Sequence, residues 1–148
     1  MKHKQLIKIH IATTVIAALT IANFFTFSLI AEIIGDADFI KQVKTVILYC
    51  LPVLIIAMPL LALSGKRLAG KSINPLVLQK QKRMKFVAIN GLLLISLAIY
   101  LYYHANFKTI DTTFFTVQGI ELLLGAVNLS LIGLNIRAGL RLSYKKFK

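Results

Sequence analysis

Glu121 is the only ionisable residue in a run of about 25 residues from Thr112 to Ile136. A carboxylate in such a run has three chemical uses: it can hold a proton, pair with a cation, or receive a small polar ligand. At 100° per residue of helix, Gln118, Glu121, Gly125, Asn128, Asn135 and Gly139 fall within an arc of about 100°, and Ile132 is the only large apolar residue at the matching positions. That stripe is expected to face protein. Packing alone accounts for its small residues and asparagines, because glycine lets backbones approach and an amide bonds across helices for roughly 0.6 kcal/mol. Glu121 asks for more. It stands nine residues inside its run, about 14 Å at 1.5 Å per residue, where an uncompensated carboxylate costs about 2.5–3.5 kcal/mol. Lys44, at the outer end of the second span, and His104, at the outer end of the third, are the available partners on that side, so Glu121, Gln118, Asn128, Lys44 and His104 form the candidate binding site.

The elements that must position these residues follow from composition. The 148 residues are 57% hydrophobic and 16% charged, with 18 Lys+Arg against 5 Asp+Glu, and the mean hydropathy is +0.77. A soluble domain is roughly 45–50% apolar and about 25% charged. The excess points to lipid, and four segments reach the roughly 20 apolar residues needed to cross a bilayer: about Ile9 to Ile34, Thr45 to Ser64, Phe86 to Tyr103 and Thr112 to Ile136. All should be helical, since lipid leaves no partner for an open backbone group. The expected fold is a single all-α transmembrane domain over residues 1–148, an antiparallel four-helix bundle.

Charge orders the bundle across the membrane. Lys2, Lys4 and Lys8 precede the first span; Lys66, Arg67, Lys71, Lys80, Lys82, Arg83 and Lys85 lie in the connection from Gly65 to Lys85; Arg137, Arg141, Lys145, Lys146 and Lys148 follow the last. Basic residues stay on the cytoplasmic side, so both termini are expected there, in a multi-pass protein of a bacterial plasma (inner) membrane. All five acids, Glu32, Asp36, Asp38, Asp111 and Glu121, fall towards the other side, where Tyr100, Tyr102, Tyr103, Phe107, Phe114 and Phe115 suit an interfacial aromatic belt. The first apolar run is longer than a signal peptide's core, and Thr20-Ile21-Ala22 is a poor cleavage site, so this span is expected to be retained. The Gly65 to Lys85 connection mixes Leu68, Ile73, Leu76, Val77 and Leu78 with lysines and is expected to lie in the cytoplasmic interface, against anionic lipid heads. A nucleic-acid partner is not expected, because the basic residues are divided between long apolar runs rather than gathered on a soluble surface.

Other chemistries fare less well. Gly65-Lys66-Arg67-Leu68-Ala69-Gly70-Lys71-Ser72 fits the phosphate-loop pattern G-x-x-x-x-G-K-[ST], yet that loop works between a strand and a helix. It also needs a carboxylate nearby to hold magnesium, and none occurs between Asp38 and Asp111. Nucleotide hydrolysis is therefore excluded. Cys50 is the single cysteine, which rules out an internal disulfide. Haem held by His10 and His104 is ruled out because the two fall at opposite faces of the membrane; His10 with Met58 is the remaining axial pair, and makes a haem or quinone redox protein the principal rival. His10, Thr14, Ala17, Ser28 and Glu32 make a polar stripe on the first span, Arg83, Asn90 and His104 one on the third, and Pro52 and Pro59 should kink the second.

The run Lys82-Arg83-Met84, Asn90-Gly91-Leu92-Leu93, Val117-Gln118, Glu121-Leu122, Gly125, Asn128 and Gly133-Leu134-Asn135 resembles small four-span bacterial membrane proteins with no assigned activity. The resemblance covers the second half of the chain well and the first half loosely, and implies kinship without chemistry. The functional expectation is thus a small inner-membrane protein binding a proton, cation or small ligand around Glu121, as a homo-oligomer or as a helper subunit of a larger membrane complex. A non-catalytic assembly role through the basic face is a further alternative.

Overall fold

The structure, a computed structural model, describes residues 3–144; Lys2, Lys145, Lys146 and Lys148, counted above with the basic termini, lie outside them. The described chain is four helices without a strand: α1 (His3–Ile34), α2 (Ala37–Ala69), α3 (Pro75–Phe107) and α4 (Thr112–Tyr144). At 32 or 33 residues each is about 50 Å long. All four are long and apolar enough to cross a membrane.

Local chemistry sets the boundaries. Gly35, at φ 69°, takes the left-handed conformation that ends α1, and its N–H bonds to Ala31 O. Asp36 then caps α2 by accepting from Phe39 N at 3.0 Å, so α1 and α2 reverse direction over two residues. Gly70, at φ 51°, closes α2 and donates to Lys66 O. Asn74 caps α3 through Leu76 N at 3.0 Å, with Pro75 in the first turn, where no N–H is missed. Asp111 Oδ1 accepts from Phe114 N at 2.9 Å and caps α4.

The helices run beyond the apolar spans, and most of the expected interfacial connection from Gly65 to Lys85 is helical: α2 continues to Ala69 and α3 starts at Pro75, leaving only residues 70–74 as a turn. Apolarity marks where a helix could meet hydrocarbon, whereas the helix itself ends at its caps, and lysine stems can cover the extra turns. The segment matching the phosphate-loop pattern is mostly the last turn of α2. Pro52 and Pro59 lie within α2, which stays helical through both, and both are exposed. Both proline side chains therefore point outwards, away from the polar interior.

Sequential helices pack side by side and α4 closes against α1, giving a four-cornered ring in which α1 and α3, and α2 and α4, share no packed face. Two apolar clusters fill it. One gathers Ala31, Ile40, Ile47, Leu101 and Phe114 at the α1–α2 turn end; the other gathers Ala17, Ile21, Leu61, Val87 and Ile132 towards the termini. Between and around them lie buried polar groups, including Lys44, Gln118, Asn128 and Asn90, while Tyr49, Leu92, Leu123 and Leu140 face outwards. Polar residues inside and large apolar ones outside invert the soluble arrangement and suit a hydrocarbon surround.

A candidate polar site inside the bundle

The short α1–α2 turn folds Ser28 and Glu32 of α1 back beside Lys44, and α4 brings Gln118 and Glu121 to the same level. Lys44 is 1% exposed and Glu121 9%. Lys44 Nζ lies 2.6 Å from Glu121 Oε2 and donates a second bond to Ser28 Oγ at 3.1 Å. Gln118 Nε2 donates to the same Glu121 oxygen at 3.0 Å, from one turn before it on α4. The carboxylate thus accepts from an ammonium and an amide, and desolvation is offset by charge-assisted hydrogen bonds.

A second acid lies within electrostatic reach of this pair. Glu32 interacts electrostatically with both Lys44 and Glu121, and its Oε2 is buried without a hydrogen-bond partner among the described residues. Two carboxylates and one ammonium carry a net negative charge when all are ionised, and one added proton neutralises the three. Beside them is a cavity of about 40 Å³ lined by apolar side chains, among them Ile21, Phe25, Leu54 and Leu94, with Ser28 and Glu121 as its polar groups and Gly125 in its wall. A water needs roughly 10–15 Å³ by this measure, so the cavity has the volume of only a few waters.

The remaining sequence candidates sit elsewhere. Asn128, two turns along α4 from Glu121, is fully buried, and neither amide atom has a partner among the described residues. Asn90 Nδ2 donates to Leu124 O at 2.8 Å and ties α3 to α4. His104 makes its contacts with the α3–α4 connection: Nε2 faces Asp111 Oδ1 at 3.1 Å and Thr109 O at 3.2 Å, and Nδ1 faces the Tyr100 hydroxyl at 3.3 Å. The Phe114 backbone N–H, and after it the His104 ring, holds the Asp111 carboxyl below its ordinary value of 3.8.

At the other end, His10 Nδ1 lies 2.9 Å from Ser64 Oγ and Nε2 lies 3.5 Å from Lys80 Nζ. Ser64 donates to Leu61 O at 3.1 Å, so its oxygen accepts from Nδ1–H and leaves Nε2 to face the Lys80 amine. Both ring nitrogens are engaged. Met58, the proposed second axial ligand, directs its methyl group at Gly91 of α3. His10 and Met58 are therefore each held by other neighbours.

Sequence reasoning placed Ser28 and Glu32 on one stripe of α1 but did not join them to Lys44. The Gly35-Asp36 reversal was the available signal, because Ser28 and Lys44 stand at nearly equal distances on either side of it. Lys80 as a neighbour of His10 carried no comparable signal.

The chain matches no protein-family model, no curated protein and no solved structure. The class defined by fold and site is an all-helical protein of four long apolar helices enclosing a buried lysine–glutamate pair.

Proposed function

We propose that this protein is a multi-pass protein of a bacterial inner membrane, with both termini in the cytoplasm, and that it binds a proton at the Lys44–Glu121–Glu32 site. It works there as an oligomer or as a helper subunit, since four helices enclose too little space for a conduction path of their own. The observation that carries this reading is the 2.6 Å Lys44–Glu121 pair, with the Glu32 carboxylate in electrostatic reach of both and one of its oxygens buried without a hydrogen bond among the described residues. The Lys44 ammonium already occupies the position at Glu121 that a metal cation would take, and the cavity is small for an organic ligand. A proton needs neither space nor a free cation site.

Infrared spectroscopy of proteoliposomes, titrated from about pH 5 to about pH 9, tests this. With only five Asp and Glu side chains in the chain, a protonated-carboxyl band can be assigned by substitution. The expected result is a band that changes with pH and is lost in Glu32→Gln and in Glu121→Gln, with helix content unchanged. A spectrum without such a band, or one indifferent to both substitutions, overturns the proposal and leaves a structural ion pair.

A further inference from the structure

The cytoplasmic half of the α3–α4 seam holds a second cleft, unrelated to the proton site. It measures about 120 Å³ and is lined by Leu76, Gln79 and Arg83 of α3 and by Leu134, Arg137, Ala138 and Arg141 of α4. The spacing explains the convergence. Arg137 and Arg141 are one turn apart and share a face of α4, while Gln79 and Arg83 repeat that spacing on the antiparallel neighbour. Leu76 is the second residue of α3, so this helix's N-terminal end, with its partial positive charge, also borders the cleft.

Three arginines thus line one recess, Arg83 half-buried and Arg137 and Arg141 exposed at its mouth, and none forms an ion pair among the described residues, whose salt bridges are Lys41–Asp38, Lys44–Glu121 and His104–Asp111. Asp38, Asp111, Glu121 and the other two acids all belong to the opposite half of the bundle. Three cations held together without a counterion repel one another, at a cost that an anion would relieve. The planar forks of arginine match phosphate oxygens two at a time, and Gln79 adds an amide donor. The recess is several times the roughly 10–15 Å³ that one water requires.

We infer that the cleft between α3 and α4 is a phosphate-binding site in which Arg83, Arg137 and Arg141 clamp the anion. Two sources supply that chemistry at this end of the bundle: the phosphodiester of an anionic lipid head and a soluble phosphate. The leucines at both ends of the cleft allow a lipid glycerol backbone to continue along the seam, and the charge placement serves either source.

The test uses the full chain in phosphatidylcholine nanodiscs with two probes. Phosphatidylglycerol is included in the discs and its retention is read by native mass spectrometry; inorganic pyrophosphate is titrated calorimetrically into discs without it. A triple variant, Arg83→Gln with Arg137→Gln and Arg141→Gln, is compared with a charge-matched control, Lys66→Gln with Arg67→Gln and Lys71→Gln, all exposed residues. The expected result is binding that weakens roughly tenfold or more in the arginine variant and much less in the control. Retention of the lipid alone assigns a headgroup site; binding of pyrophosphate as well assigns a site open to soluble phosphate. Binding of neither probe, or equal loss in the two variants, overturns the inference, the latter showing diffuse attraction to a basic face. Unchanged helix content confirms that each variant is folded.

Discussion

Lys44 and Glu121 bond at 2.6 Å although their helices, α2 and α4, occupy opposite corners of the bundle and share no packed face. The lysine stem spans a gap that the two backbones do not close. Ser28 from α1 shares the same amine, so one side chain links three helices through the interior. In a low-dielectric surround such a pair is strong once formed, and leaving either half alone is expensive.

Removing one partner should therefore hurt more than removing both. Lys44→Met or Glu121→Leu alone is expected to cost about 3–5 kcal/mol, while the double variant should recover most of that loss, because apolar side chains of similar volume replace a buried pair at little cost. Equilibrium unfolding in mixed micelles supplies the double-mutant cycle. Additive losses would mean that the pair contributes no coupling and that each residue is held by its other contacts.

The α3–α4 connection should respond to acid at Asp111. Its carboxyl is held below the ordinary 3.8 by the Phe114 N–H first and by His104 next. A depressed carboxyl contributes stability that is fully present above the unfolded value and lost as pH falls through the folded one. The N-terminal turn of α4 should thus fray only in strong acid, seen as faster amide exchange at Phe114 and Phe115. Asp111→Ala should show that fraying at neutral pH, and Asp111→Asn, which keeps the acceptor, should show less of it. Equal protection in wild type and Asp111→Ala would remove the cap from the account.

Some of this architecture is legible in the residues and some is not, for a physical reason in each case. The α4 stripe is legible because helical periodicity alone decides which residues share a face, and Gln118, Glu121, Asn128 and Asn135 are all buried. Lys44 stands out as a partner because few cations lie at that end of the chain. The convergence of Glu32 and Ser28 on Lys44 is harder, since it depends on how two stripes register across a turn. His104 illustrates the same limit: the α3–α4 connection offers Asp111 and Thr109 at closer range than Glu121. Helix ends exceed the apolar spans because hydropathy reports the surrounding solvent, while caps such as Asn74-Pro75 report the backbone. Pro52 and Pro59 stand seven residues apart, so periodicity puts them on one face of α2, but only packing shows that this face is exposed.

Asn128 tests what the interior of α4 is for. Both of its amide atoms are buried without a partner in the described chain, and an unmet buried amide costs about 1–3 kcal/mol. Asn128→Leu, close in volume, is expected to raise stability by about that amount in thermal unfolding of the detergent-solubilised protein. A loss of stability would show instead that the amide is satisfied inside the bundle, by a buried water.

Two glycines offer a comparison in which the nearer obstacle should matter less. A Cβ on Gly91 would come 2.5 Å from the Met58 methyl, and one on Gly65 would come 2.8 Å from Met84 Sδ and 3.2 Å from His10 Cε1. The Met58 methyl is the free end of a flexible chain and can turn aside. The Met84 sulfur lies further back along its side chain, and the His10 ring close by is fixed by Ser64 and Lys80. Alanine in a helix interior gains about 0.5–1 kcal/mol over glycine, which is enough to offset a rotated methyl but not the roughly 1–3 kcal/mol of an overpacked site. Gly91→Ala should therefore be neutral or slightly stabilising and Gly65→Ala destabilising, with the order read from unfolding midpoints under one condition. The reverse order would mean that the His10 cluster yields more readily than a lone methionine, and that its hydrogen bonds do not hold the ring in place.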